Sequence, residues 1–404
     1  MKLAVVSIVL AAVALAAGVA EAYPQFQLAR DQTCTGCHIS PAGGSMLNEN
    51  GFGVAEAISQ FGTKPEFFYG DRFNSGTLQL GGDVRGAGGF LKYGGSEDSA
   101  VYAFPMQIEL QARLKFGAFS VFLNGGFRPP QDGHRVDADT ELEVRASTYV
   151  WSREHYLMWQ QKPDENYGLY VRAGRFMPVF GLRFAEHPMY TKRFGGTQLF
   201  SETYGLAVEY IDPKYEFHVT GFMNDPLIDP VEHATGAAFY GELRASETLA
   251  FGAELMFKNF TNGEPLFSSD SDSEMKEIRA GITNKLYLSG PEVLISTEIQ
   301  FVNQLVDKVS RSVDSAVGGA PKGLVGNITV SRMFADFLLL DVGIGHFDSN
   351  FRVPNIDRDC IDVNFHWFTT SHLELMLNAR YETIGFNKGA DPGAYALIQA
   401  HYRL

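Results

Sequence analysis

Cysteine is scarce in this sequence. Only Cys34, Cys37 and Cys360 occur in a chain of 404 residues. Two stand close together and the third is remote, so no disulfide framework holds the fold. Long apolar runs are also missing beyond Ala17. No later stretch reaches the ~18 apolar residues that a membrane-spanning helix needs. A crossing by helices is thereby excluded, and any membrane crossing must be made by a closed barrel of strands. Positive charge is in deficit, with 33 Lys plus Arg against 47 Asp plus Glu and a formal net charge of −14. That balance excludes a nucleic-acid partner, which needs a basic surface. It also excludes a polybasic membrane anchor. No Ser-His-Asp or paired-carboxylate constellation stands out, and no glycine-rich phosphate loop follows a strand.

What the sequence does have is apolar, aromatic and glycine-rich. Hydrophobic residues make up 45% and aromatics 13%, with 32 Phe, 17 Tyr and 42 Gly. Such a chain is not disordered, and the bias favours strands over helices. The N-terminus is a targeting segment. Lys2 supplies the positive start, Leu3 to about Ala17 the apolar run, and Ala20-Glu21-Ala22 the small-residue cleavage site. Residues 1–22 are therefore expected to be a signal peptide, and the mature chain to begin near Tyr23.

Cys34-Thr35-Gly36-Cys37-His38 reads as an attachment site for c-type haem. Two thiols at this spacing can add to the two vinyl groups of one haem. The following His38 is then held under the iron as proximal ligand. A redox dithiol or half a zinc site uses the same Cys pair. No second Cys or His pair lies close by, no βαβ pattern surrounds the motif, and export favours haem attachment. Residues 23–76 are thus a monohaem arm carrying one haem c, with Cys34, Cys37 and His38 as its site. A turn-rich stretch, Ile39–Ser45, follows the motif, and a helix-compatible piece runs from Val54 to Gln60. Only about 40 residues separate His38 from the first strand, near the length below which a domain rarely keeps its own core. The remainder of the protein must supply the other wall of a haem pocket.

From residue 77 to 404 the dominant signal is alternation with period two. In 107–116, Ile108, Leu110, Ala112, Leu114 and Phe116 oppose Gln107, Glu109, Gln111, Arg113 and Lys115. The segments 293–301 and 372–381 repeat the pattern. About sixteen such segments can be counted, each near the ~10 residues of a tilted membrane strand. Tight turns at Asp212-Pro213, Ser246-Glu247, Ser289-Gly290-Pro291 and Thr369-Thr370 alternate with longer loops such as 259–273 and 303–322. A soluble β-sandwich also alternates, but its strands are shorter, at ~5–6 residues. The expected fold is all-β: an antiparallel transmembrane barrel of about sixteen strands with a short N-terminal haem-bearing arm or plug. The last strand alternates to the end of the chain, where Leu404 stands in the place usually held by Phe in outer-membrane proteins.

A signal peptide, one haem motif and then a barrel resemble the fused monohaem cytochrome–porins of the outer membrane, best known in iron-oxidising bacteria. Cys34, Cys37 and His38 carry the resemblance, and Arg172–Gly181 resembles a segment of porin-like proteins that accompany bacterial cytochromes. The resemblance implies electron transfer between an extracellular donor or acceptor, Fe(II) among them, and periplasmic carriers. It places the protein in the lipid of the outer membrane, with the arm periplasmic or inside the lumen. Such a protein is an electron carrier, at most an Fe(II)-oxidising oxidoreductase. A diffusion porin with a structural or sensory haem is the alternative. A haem peroxidase would need a distal acid–base residue that this sequence does not define.

Strand parity places polar residues in the lumen and supplies candidates for the distal iron ligand. These are His155, Met158, His218, His366, His372, His401 and Met46, with Met106 and Met177 behind them. His366, His372 and His401 are expected to cluster at the periplasmic rim. Cys360 shares the lumen parity of Asp362 and Asn364 and reads as a bystander thiol. Residues 177–200, with Arg183, His187, Lys192 and Arg193, correspond to the loop that in general porins folds inward and narrows the pore; an exposed loop is the equal alternative. Asp270, Asp272 and Glu274 form an acidic run in an outer loop, which reads as a solvated face before it reads as an Fe²⁺ trap.

Overall fold

The computed structural model of the chain describes residues 33–44, 46–63, 72–73, 76–92, 99–127, 150–184, 188–196, 202–223, 234–260, 275–306, 322–384 and 392–403. The signal peptide, His187, the acidic run Asp270, Asp272 and Glu274, and Leu404 lie outside them.

Sixteen long strands form the wall: β1 (Leu78–Lys92), β2 (Ser99–Phe116), β3 (Phe119–Phe127), β4 (His155–Gln160), β5 (Gly168–Phe176), β6 (Thr203–Ile211), β7 (Tyr215–Met223) and β8 (Ala234–Ser246), then β9 (Leu249–Phe260), β10 (Met275–Leu288), β11 (Val293–Val306), β12 (Lys322–Phe334), β13 (Leu338–Asp348), β14 (Arg358–Phe368), β15 (Leu373–Ile384) and β16 (Gly393–Arg403). Each pairs antiparallel with its sequence neighbours, and β16 pairs with β1 from Arg403↔Asp83 to Ala394↔Lys92, which closes the barrel. Two dipeptide strands, Arg72–Phe73 and Val150–Trp151, extend the edges of β1 and β3. Between Trp151 and His155 the register against β3 slips by one residue, a local bulge.

The wall is inside-out by the standards of a soluble protein. Along β7, Glu216, His218 and Thr220 are buried while Phe217 and Val219 are exposed by 45% and 52%. Leu110, Ile282 and Ile398 on other strands are exposed by 67%, 63% and 66%. An apolar belt outside and polar side chains inside is what a bilayer selects, because lipid solvates the belt and the lumen solvates the charges. Closure also matters: because β16 pairs back onto β1, each wall strand has a partner strand on both sides.

The hairpins divide the barrel into two ends. Gly117-Ala118 between β2 and β3 is a two-residue turn, and Gly117 takes φ +59°, which glycine adopts without steric cost. Short connections also join β6 to β7, β8 to β9, β10 to β11, β12 to β13 and β14 to β15, all at one rim. Longer loops leave the opposite rim. The arm enters β1 from the short-turn rim. It contains α1 (Cys34–Cys37) and α2 (Glu49–Ala57). The helix predicted over Val54–Gln60 starts five residues earlier, because Asn48 caps it by accepting from the Gly51 N–H at 2.9 Å.

Candidate functional site

Between β5 and β6 the described residues 177–184 and 188–196 leave the wall and fold into the lumen, as the corresponding loop of general porins led one to expect. It contains α3 (Tyr190–Arg193). Phe180 packs with Phe222, Ala238 and Met256 on one side of the barrel. Tyr190 and Phe194 pack with Val325, Phe347 and Cys360 on another. Polar ties fix the path between them: Leu182 N–H donates to Glu298 at 3.0 Å, Thr191 N–H to Asn327 at 2.9 Å, and Tyr190 O–H to Glu382 at 2.7 Å.

The arm fills the lumen near the short-turn rim. Its α1 turn is built by α2. The Asn48 side chain donates to the Thr35 carbonyl at 2.7 Å, Asn50 to the Gly36 carbonyl at 2.8 Å, and the Asn48 N–H to the Cys37 carbonyl at 2.9 Å. The end carbonyls of the C-x-x-C turn are thus satisfied within the arm. Gly51 is required there, since a β-carbon would stand 2.1 Å from the Cys37 oxygen. Three wall residues fasten the unit: Gln79 donates to the Leu47 carbonyl at 3.0 Å, Arg172 to Ser40 at 3.4 Å, and Trp367 to Gln60 at 2.8 Å.

Cys34 and Cys37 lie on that single turn, and neither forms a disulfide. Burial pushes both thiols up from their ordinary value, against a smaller opposing pull from Arg183 on Cys34. Both are therefore protonated at neutral pH, unlike the lowered thiol of a dithiol redox motif. His38 follows immediately, and its Nδ1 is buried with no hydrogen-bond partner. Burial, with the Arg403 charge behind it, draws the imidazole down to about 4, so it is neutral, the form that binds metals.

Below this turn runs a rail of buried charge. Arg172 grips Glu209 with two hydrogen bonds of 2.9 and 2.8 Å. His218 lies between Glu209 and Glu216 at 3.2 and 3.5 Å. Glu216 accepts from Arg183 at 2.7 Å and Arg244 at 2.8 Å, and Arg244 and Lys285 both reach Glu242. Arg183 also donates to the Ala42 carbonyl at 3.4 Å, so the in-folded loop, the arm and the wall meet at one guanidinium.

The predicted distal ligands fare unevenly. His366 and His401 come together as expected, sharing Glu374 at 2.7 and 3.3 Å, with Asp341 and Asp83 on their other nitrogens. His372 stands at the same rim but donates its ring to the Arg403 carbonyl at 2.9 Å and stacks on Tyr402. His155 is a correction. It opens β4 rather than ending it and shares the outer face of Leu157, bonded to Ser152 and Tyr204. Met158 faces the lumen, since residues three apart on a strand take opposite faces. Met46 joins Met158 in one cluster with Phe122, Tyr156, Tyr170 and Phe176, and Ile39 packs there too. His38 pairs with Leu47 across a short bridge, so Met46 and Ile39 point away from the His38 ring. Met106 and Met177 are half-buried, in β2 and just past β5. Cys360 is buried on the lumen face and donates to Asp362 at 3.6 Å. Missed from sequence were the Arg172–Glu209 pair and the Asn48, Asn50 and Gly51 brace. Their polar types and lumen parity were visible, but their partners lie in distant parts of the chain.

No protein-family model matches this chain, and no curated protein sequence does. Solved structures do. A loop-deletion form of OmpT, an outer-membrane protein of Vibrio cholerae, superposes with a TM-score of 0.58 at 13% identity over 81% of this chain and 99% of its own. OprB of Pseudomonas putida gives 0.55 at 13% identity, covering 81% and 94%. An anion-selective porin from Comamonas acidovorans gives 0.55 at 11%, covering 81% and 99%. At this identity the likeness establishes the fold, a closed sixteen-stranded barrel of the outer-membrane porin type.

Proposed function

We propose that this protein is an electron carrier of the bacterial outer membrane, with one covalently attached haem c held by its lumen plug on Cys34, Cys37 and His38. One observation carries the reading: a C-x-x-C-H turn, with neither cysteine in a disulfide, is folded into a membrane barrel at its short-turn mouth. The residues fit the group. The thiols share one helical turn, the neutral imidazole follows at once, and its buried Nδ1 closes no well-aligned hydrogen bond. When bound, a haem supplies one-electron chemistry. The chain's own residues do the rest. Asn48, Asn50 and Gly51 hold the attachment turn, on which Cys34, Cys37 and His38 are half-buried. Arg183 and the charge rail tie its position to the wall.

In this reading the short-turn rim faces the periplasm, where soluble carriers dock, and the loop rim meets an extracellular donor or acceptor such as Fe(II). A diffusion porin with a structural or sensory haem is the second reading. The in-folded loop, which narrows a channel in the way that solute filtering requires, favours it. The visible spectrum of the full chain, purified in detergent from a host that attaches c-type haem, separates them. The electron-transfer reading expects a haem that survives denaturing electrophoresis and reduces within seconds of adding Fe(II) under nitrogen. A covalent haem that only a strong chemical reductant changes supports the porin. A protein without haem overturns both.

A further inference from the structure

The in-folded loop crosses the lumen over two buried carboxylates, Glu254 on β9 and Glu298 on β11, each exposed by 3%. The strand between them is β10, and Gly281 stands directly opposite Glu254 and next to Gln300. With no side chain at Gly281, Glu254 leans across the strand: a β-carbon there would stand 2.2 Å from its Oε1. A second glycine completes the space. Gly181 of the loop has φ +68°, and the position of a β-carbon on it would lie 2.4 Å from Glu298 Oε1 and 3.0 Å from Glu254 Oε2. Two carboxylates therefore converge on one point that two glycines keep open.

The pair is poorly compensated. Glu298 is oriented by the Leu182 N–H at 3.0 Å and the Gln300 amide at 2.6 Å. The Gly181 N–H and the Gln300 amide face Glu254, but neither of its oxygens closes a well-aligned hydrogen bond. The positive groups facing the pair are Arg183, Lys192 and Arg279. Arg183 is taken by Glu216 and Arg279 by Glu277, and none of the three pairs with Glu254 or Glu298. Buried charge without a partner is costly and calls for a proton or a cation.

We propose that Glu254 and Glu298 hold one hard divalent cation in the lumen. Carboxylate oxygens are donors that Mg²⁺, Ca²⁺ and Mn²⁺ prefer, and water supplies the remaining positions. The cation bridges β9 and β11 beneath Gly181 and so clamps the loop to the wall. It also gives the lumen a selective foothold for divalent cations at its narrowing. The site uses no residue of the haem motif and stands apart from the haem reading.

The test is Mn²⁺ binding to the full chain in detergent at neutral pH, followed by electron paramagnetic resonance, with and without attached haem. Wild type is expected to immobilise one Mn²⁺ per barrel, displaceable by Ca²⁺. Glu254→Gln and Glu298→Gln should each weaken binding at least tenfold, and the double variant should abolish it. Heat-modifiable electrophoretic migration reports that each variant still forms the barrel. Infrared spectra of wild type give a readout that needs no variant: Mn²⁺ should shift a carboxylate band. Absence of a stoichiometric Mn²⁺, equal binding by the double variant, or a protonated carboxyl band that Mn²⁺ leaves unchanged overturns the proposal, the last by assigning the pair a shared proton.

Discussion

The wall and what fills it are held by different physics. Each wall strand is paired to both neighbours, and its side chains alternate between lipid and lumen without regard to distant sequence. Among the described residues the filling has almost no ladder of its own: four-residue turns, one nine-residue helix and a single isolated bridge, His38↔Leu47. It stays in place through a few long-range polar contacts, such as Arg172 to Ser40 and Arg183 to Ala42. A barrel can therefore survive losses inside it that would unfold a soluble core. The specific chemistry is gathered where the backbone is least regular.

Four changes would break or sharpen this division. The largest expected effect is on the cofactor. Replacing Cys34 and Cys37 together with Ser should abolish covalent haem while heat-modifiable migration stays as in wild type; loss of the folded form as well would show that wall and filling are one cooperative unit. Next is Arg172→Ala, which strands Glu209 and releases Ser40. Breaking a buried ion pair costs about 3–5 kcal/mol, and urea unfolding in detergent should show it beside easier proteolysis of the arm. Leu110→Arg puts a charge on the lipid face of β2, and an arginine near the bilayer midplane costs roughly 2–4 kcal/mol. Unlike the first change it should lower barrel stability and leave haem attachment per folded molecule alone. The smallest is Gly51→Ala, whose β-carbon meets the Cys37 carbonyl. Overpacking of this kind costs ~1–3 kcal/mol, and it should show as protease nicking of the arm with no change in the unfolding midpoint of the wall.

Much of the wall was legible because its signal is local. Lipid on one side and lumen on the other write a period of two into every strand, so Glu216, His218 and Thr220 could be assigned to one face from spacing alone. Legibility failed where the pattern breaks. At 152–154 a bulge interrupts the strand without a glycine or proline to announce it, and β4 begins only at His155. In the arm, Asn48 was a readable helix cap, yet the eye followed the apolar residues from Val54 instead.

The site divides in the same way. By itself the sequence determined the barrel and the chemistry offered by Cys34, Cys37 and His38, because each is a matter of neighbours within a few residues. Only the tertiary structure decided which lumen groups face one another. His366 and His401 were brought together on Glu374, and Met46 was turned away from His38 toward Met158. Glu254 and Glu298 met across a strand at the space left by Gly181 and Gly281. The physical reason is closure. When sixteen strands bend into a cylinder and a loop and an arm are folded inside it, side chains far apart in sequence share one small volume, and no local pattern records which of them will meet.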